Sequence, residues 1–96
     1  MTFPHLVHYA AEAFGSSAKD VLSRRRDNPT VQARFAVMEA LRRLGHSREE
    51  IRKLVNRDSV ETVRHGLEVF QALHHTDREF RRCWDSMLRN VGDLTI

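Results

Sequence analysis

With one cysteine, Cys83, in 96 residues, the chain has no partner thiol for an internal disulfide and too few thiolates for a cysteine metal cluster. A reducing cytoplasm is the compartment that such usage fits. No stretch approaches the ~18 consecutive apolar residues of a membrane span, and no basic-then-apolar leader is expected at Met1. No linker rich in Pro, Gly or Ser, no low-complexity tract and no internal repeat divides the chain, so one domain over residues 1–96 is expected. A Walker A sequence, a Gly-rich phosphate loop and carboxylates paired in a plausible cleft are also lacking, and the residues point away from catalysis. The six histidines do not alter that. His5 and His8 stand three apart and His74-His75 fall at a helix end, but no carboxylate or cysteine joins either pair at a ligand spacing, so neither a metal nor another cofactor is expected. Cys83 reads as packed filler rather than a nucleophile, because no His/Asp arrangement stands ready to activate it.

What is there is ordinary globular composition, 41% hydrophobic and 30% charged. Net charge is +3, and 14 of the 16 basic residues are arginine, whose planar donor fork suits phosphate and guanine. The excess is uneven. Residues 1–46 carry seven basic and four acidic side chains and residues 47–96 nine of each, and the densest basic point is Arg24-Arg25-Arg26.

Helical periodicity runs through the chain and no strand pattern competes with it. Phe3, Leu6, Val7, Ala10, Ala13 and Phe14 recur on one face before Gly15, which suits a helix C-terminus. Ser16 or Ser17 caps a short turn through Asp20, Val21 and Leu22. Asp27-Asn28-Pro29 opens a helix with Val31, Phe35, Met38, Leu41 and Leu44 on one stripe and Gly45 as its stop. Ser47-Arg48-Glu49-Glu50 is a capping box for a short helix to about Val55, which Asn56-Arg57-Asp58 breaks. Asp58 or Ser59 then caps a helix that turns Val60, Val63, Leu67, Phe70 and Leu73 inward and shows Glu61, Thr62, Arg64, His65, Glu68 and Gln71 outward. Thr76-Asp77-Arg78-Glu79 reads as a further capping box, and the last helix aligns Phe80, Trp84, Met87 or Leu88, and Val91 before Gly92. The expectation is an all-α domain of five or six helices. Within it, residues 47–73 have the layout of a helix-turn-helix: a short helix, a turn of about three residues and a longer second helix.

The order of residues adds a resemblance. Ala13-Phe14-Gly15, Ser17-Ala18-Lys19-Asp20-Val21, the basic loop Ser23-Arg24-Arg25-Arg26, then Ala33-Arg34, Val37-Met38, Leu41, Ser47, Glu50-Ile51 and Thr62-Val63-Arg64-His65 resemble the C-terminal DNA-binding domain (domain IV) of the bacterial replication initiator DnaA. That family has a helix-turn-helix of the Trp-repressor-like class. The resemblance implies a recognition helix in the major groove and an arginine loop in the minor groove, where arginine suits the narrow negative channel. The chain departs from the family at the start of the recognition helix, where the family has Arg-Asp-His-Thr-Thr-Val. Matched without gaps through Thr62-Val63, its first three positions fall on Asp58, Ser59 and Val60, and the next on Glu61; alternatively Arg57-Asp58 are the Arg-Asp, with one extra residue before Thr62. In either register the base-reading histidine is absent and Glu61 replaces a threonine.

The residues expected to contact DNA are therefore Arg24, Arg25 and Arg26 on the loop, Arg34 on a phosphate, and Arg57, Ser59, Glu61, Thr62, Arg64 and His65 around the reading helix. Arg64 has an alternative, pairing with Glu61 or Glu68 along the helix. Double-stranded DNA is the expected partner, with the transcription machinery or a further domain of the same protein beside it, in the bacterial cytoplasm at the nucleoid and away from membranes. Three functions are in play. One is a sequence-specific transcriptional regulator, of the phage-like or gene-transfer-agent type in which such domains occur outside the initiator. Another is a variant replication-initiator or origin-binding domain. The third, of another class, is an interaction module whose arginine loop binds an acidic protein such as an RNA polymerase subunit.

Overall fold

The computed structural model describes residues 2–92. They form six helices: α1 (Phe3–Phe14), α2 (Ala18–Val21), α3 (Asn28–Arg43), α4 (Arg48–Leu54), α5 (Val60–Thr76) and α6 (Arg78–Val91). No strand occurs among the described residues.

Local capping explains most boundaries. Thr2 caps α1, and Gly15 ends it at φ 81°, a left-handed conformation that costs glycine little. Ser17, not Ser16, caps α2, accepting from Asp20 N at 3.2 Å. Ser47 and Glu50 complete a reciprocal capping box at the start of α4. At its end Asn56 takes φ 58°, while Arg57 N donates to Arg52 O at 3.0 Å, closing the helix. Ser59, not Asp58, then caps α5.

Two boundaries differ from expectation. The connection between α4 and α5 is five residues, 55 to 59, rather than about three, and α5 runs past 73 to Thr76. The box expected from Thr76 does not form, because Thr76 is still helical and its hydroxyl donates to Ala72 O at 2.7 Å. Asp77 caps α6 instead, accepting from Phe80 N at 3.0 Å.

Helices α1, α3, α5 and α6 enclose the core: α1 packs on α3 and α6, and α5 on α3 and α6, while α4 rests on α5 and α3. An aromatic cluster joins three of them, with Phe80 against Phe14 and Phe70 at 5.3 and 5.2 Å, and Phe70 edge-on to Trp84 at 4.8 Å. Helix α3 buries Met38 and Leu41 of its expected stripe, but the rest of its inward face differs. Ala33, Ala36, Val37 and Ala40 are fully buried, whereas Val31, Phe35 and Leu44 are only half-buried. Small side chains let helix axes approach, so the alanine face goes in and part of the bulkier stripe is left at an edge. Val31 and Phe35 lie beside Arg26 of the basic loop, whereas Leu44 lies at the other end of the helix with Phe3 and Leu54.

Candidate nucleic-acid interface

The basic loop, residues 22 to 27, joins α2 to α3 and lies beside the α4–α5 connection. Two arginines from outside the loop hold it there. Arg34, 5% exposed on α3, donates through Nε to Val21 O at 2.8 Å. Its Nη2 reaches Ser23 O at 2.9 Å, Arg25 O at 3.0 Å and Asp20 O at 3.3 Å. Arg57 donates through Nε to Val55 O and through Nη2 to Ser23 O, so one carbonyl of the loop receives both guanidiniums. Burial, then Arg57 and Arg26 against the opposing pull of Asp27, brings the Arg34 pKa down to about 10. It stays charged at neutral pH. Burial and the neighbouring Arg24 lower Arg57 in the same direction.

These positions alter the expected role of Arg34. A contact with the DNA backbone through that side chain assumed an exposed guanidinium; this one is 5% exposed, and four carbonyls take two of its three nitrogens. Arg57 is likewise half-buried and engaged with backbone. Both hold the loop in place.

The three loop arginines are not equivalent. Arg24 grips Asp58 in a two-pronged pair, 2.7 Å at each nitrogen, bridging the loop to the residue just before the cap of α5. The hydrogen bond and charge of Arg24 hold the Asp58 carboxyl below its usual range, and Asp58 raises Arg24 in return. Arg25 turns back onto Asp27 at 2.6 Å and Asp20 at 3.6 Å. Arg26 is exposed and has no ion-pair partner among the described residues.

On α5, Ser59 is occupied as the cap, its hydroxyl 3.2 Å from Thr62 Oγ1. Thr62 and His65 are exposed and share the side of α5 nearest the loop. Arg64 bridges Glu61 at 2.7 Å and Glu68 at 2.6 Å, which lowers the Glu61 pKa through the hydrogen bond from Arg64. The alternative of pairing along the helix is the one adopted in the free chain.

Between loop, α3 and α5 lies a cavity of about 320 Å³. Arg26, Arg34, Arg57, Thr62 and His65 form its walls, and Val31, Phe35 and Met38 its floor. Five of the ten residues singled out from the sequence thus meet around one space, while Glu61 and Arg64 lie outside it. Sequence reasoning missed Asp58 as the partner of Arg24, and Arg52, whose Nη1 donates to Arg57 O at 3.1 Å and firms the same corner. Neither contact has a local sequence signal. Asp58 and Arg24 stand 34 residues apart. No protein-family model matches the chain. Among the described residues, no helix is long and apolar enough to cross a membrane.

Proposed function

We propose that the chain is a double-stranded DNA-binding domain acting as a sequence-specific transcriptional regulator, with α4 and α5 working as a helix-turn-helix. The observation that carries this reading is the clasp between the basic loop and the corner leading into α5: Arg24 on Asp58, and Arg57 on Ser23 O. A duplex whose major groove takes the start of α5 meets the loop arginines on the adjoining backbone or minor groove. Thr62, exposed near the helix N-terminus, then faces base edges. Arg64 faces phosphate only after leaving Glu61 and Glu68.

Selection from a random-sequence duplex library, followed by anisotropy titration at several salt concentrations, tests the reading. A preferred site is expected, with affinity falling steeply in salt through counterion release. Thr62→Ala should change which site is preferred, costing about 1–3 kcal/mol at one base pair. Replacing Arg24, Arg25 and Arg26 together should weaken all duplexes alike. Recovery of initiator-type boxes would favour the origin-binding alternative. No preference and a flat salt response would refute DNA binding.

One observation favours the protein-interaction reading: Arg24, Arg25 and Arg64 are already neutralised by carboxylates of the same chain. In that reading an acidic protein, such as an RNA polymerase subunit, supplies carboxylates in place of Asp58 and Asp27. Binding to an acidic protein with no affinity for any duplex would move that reading to the front.

A further inference from the structure

The cavity beside the loop has unused donors. Arg34 and Arg57 each donate through Nε and Nη2 to backbone carbonyls, and the Nη1 of each has no hydrogen-bond partner among the described residues. Yet no buried side-chain nitrogen or oxygen among the described residues lacks a partner. Neither Nη1 is therefore fully buried, and both side chains line this cavity. Arg26 forms the third cationic wall, and no carboxylate lines the space.

We propose that this cavity is a receptor for a small organic phosphate, a monoester whose oxygens take Arg26 and the Nη1 groups of Arg34 and Arg57 and whose apolar or aromatic body lies on Val31, Phe35 and Met38. The guanidinium fork suits a phosphate dianion, since each charge-assisted hydrogen bond is roughly twice as strong as a neutral one. Arg34 and Arg57 are fixed by backbone carbonyls, so two of the three cationic groups are in position before a ligand arrives. Like charge meets like charge in the empty space: Arg57 and Arg26 both depress Arg34, and an anion relieves that repulsion. The floor rules against a bare ion as the best ligand, because an inorganic phosphate leaves Val31, Phe35 and Met38 uncovered. About 320 Å³ stands at the small end of ligand pockets, which run ~300–1,000 Å³. A ligand there covers Arg26, Thr62 and His65, so it competes with a duplex; that consequence alone rests on the DNA-binding reading.

The test is a titration followed by backbone amide NMR at constant ionic strength, with three probes: phenyl phosphate, inorganic phosphate and dimethyl phosphate, the last standing for a nucleic-acid backbone. Phenyl phosphate should shift the amides of Arg26, Val31, Thr62 and His65 and bind several-fold more tightly than either other probe. Arg26→Ala, a change at an exposed loop position, should weaken phenyl phosphate by roughly fivefold or more through loss of one charge-assisted contact. Absence of shifts at these amides overturns the proposal. So does equal affinity for all three probes, which would make the cavity a plain backbone-phosphate contact, and so does an Arg26→Ala variant that binds like the parent. A duplex that fails to bind refutes DNA recognition without touching the phenyl phosphate result, so the two failures read out separately.

Discussion

Replacing Arg34 with methionine tests how much this arginine contributes by holding the loop. Methionine keeps much of the volume and removes every donor. Asp20 O retains Ser23 N and the Ser23 hydroxyl, and Ser23 O retains Arg57. Val21 O and Arg25 O lose the only donor they have among the described residues. A buried acceptor left without a donor costs about 1–3 kcal/mol. Val21 is fully buried, whereas Arg25 is exposed and its carbonyl rehydrates more readily. Relief of the buried charge offsets part of the loss. The net expectation is a destabilisation of about 2 kcal/mol, which in a domain of this size lowers Tm by roughly 8–16 °C. Heat and urea unfolding followed by far-UV circular dichroism measure it. Arg34→Lys, which offers a point charge in place of the fork, should lose less. A methionine variant within ~0.5 kcal/mol of the parent, as for an ordinary surface substitution, would refute the loop-holding role.

Asp58→Asn frees Arg24; stability should change by less than about 1 kcal/mol because the pair is exposed, while affinity for any duplex rises and its salt dependence steepens, and an anisotropy titration that shows unchanged or weaker binding would count against the clasp as a competitor of phosphate. Gly66→Ala puts a methyl group 2.5 Å from Met38 Sδ and 3.0 Å from the Phe35 ring, so crowding of about 1–3 kcal/mol should exceed the ~1 kcal/mol gained in helix propensity. A urea midpoint above the parent's would show that Met38 swings aside at no cost.

Helix starts were legible because capping is local chemistry. Ser17, Ser47 with Glu50, and Ser59 each bind a backbone N–H three residues on, a relation a sequence displays directly. Thr76-Asp77 misled for the same reason: two capping residues stand side by side, and only the extent of α5 decides between them. The inward face of α3 was legible only in part: Met38 and Leu41 are buried as their spacing suggests, but a hydrophobic stripe weights Phe35 and Leu44 above Ala33, Ala36 and Ala40, which are the ones fully buried. The candidate site divides along the same line. A run of three arginines displays charge, but which of them is bound to Asp58, which to Asp27 and which is open depends on partners outside the run. Arg34 is the strongest instance. Its helical position carried no sign that the carbonyls of the preceding loop would converge on it.

Glu39 brings a carboxylate into the core. It lies on α3 with no exposed surface, yet Arg42 donates to it at 2.9 and 2.7 Å and Arg43 at 2.8 Å, and the Arg43 guanidinium sits 5.1 Å over the Trp84 ring. Burial alone would push the carboxyl up; the two arginines outweigh it and hold Glu39 below its ordinary value of 4.5. A depressed acid contributes stability that is present above its unfolded pKa and lost as pH falls through the folded one. The unfolded chain takes up the proton first, so unfolding becomes easier on acidification. Glu39→Gln removes that proton from the balance. At neutral pH the variant should be less stable by about 1.5–3 kcal/mol, the range for hydrogen bonds to a charged group. The gap should then narrow as pH drops below 4.5, because the parent loses the contribution and the variant has none to lose. Exposed carboxylates that also titrate low, Asp58 and Glu61 among them, are common to both proteins and cancel in the comparison. Urea unfolding of the pair across that range gives the gap directly. A gap that stays constant or widens on acidification would mean that Arg42 and Arg43 do not hold the buried carboxylate in its charged form.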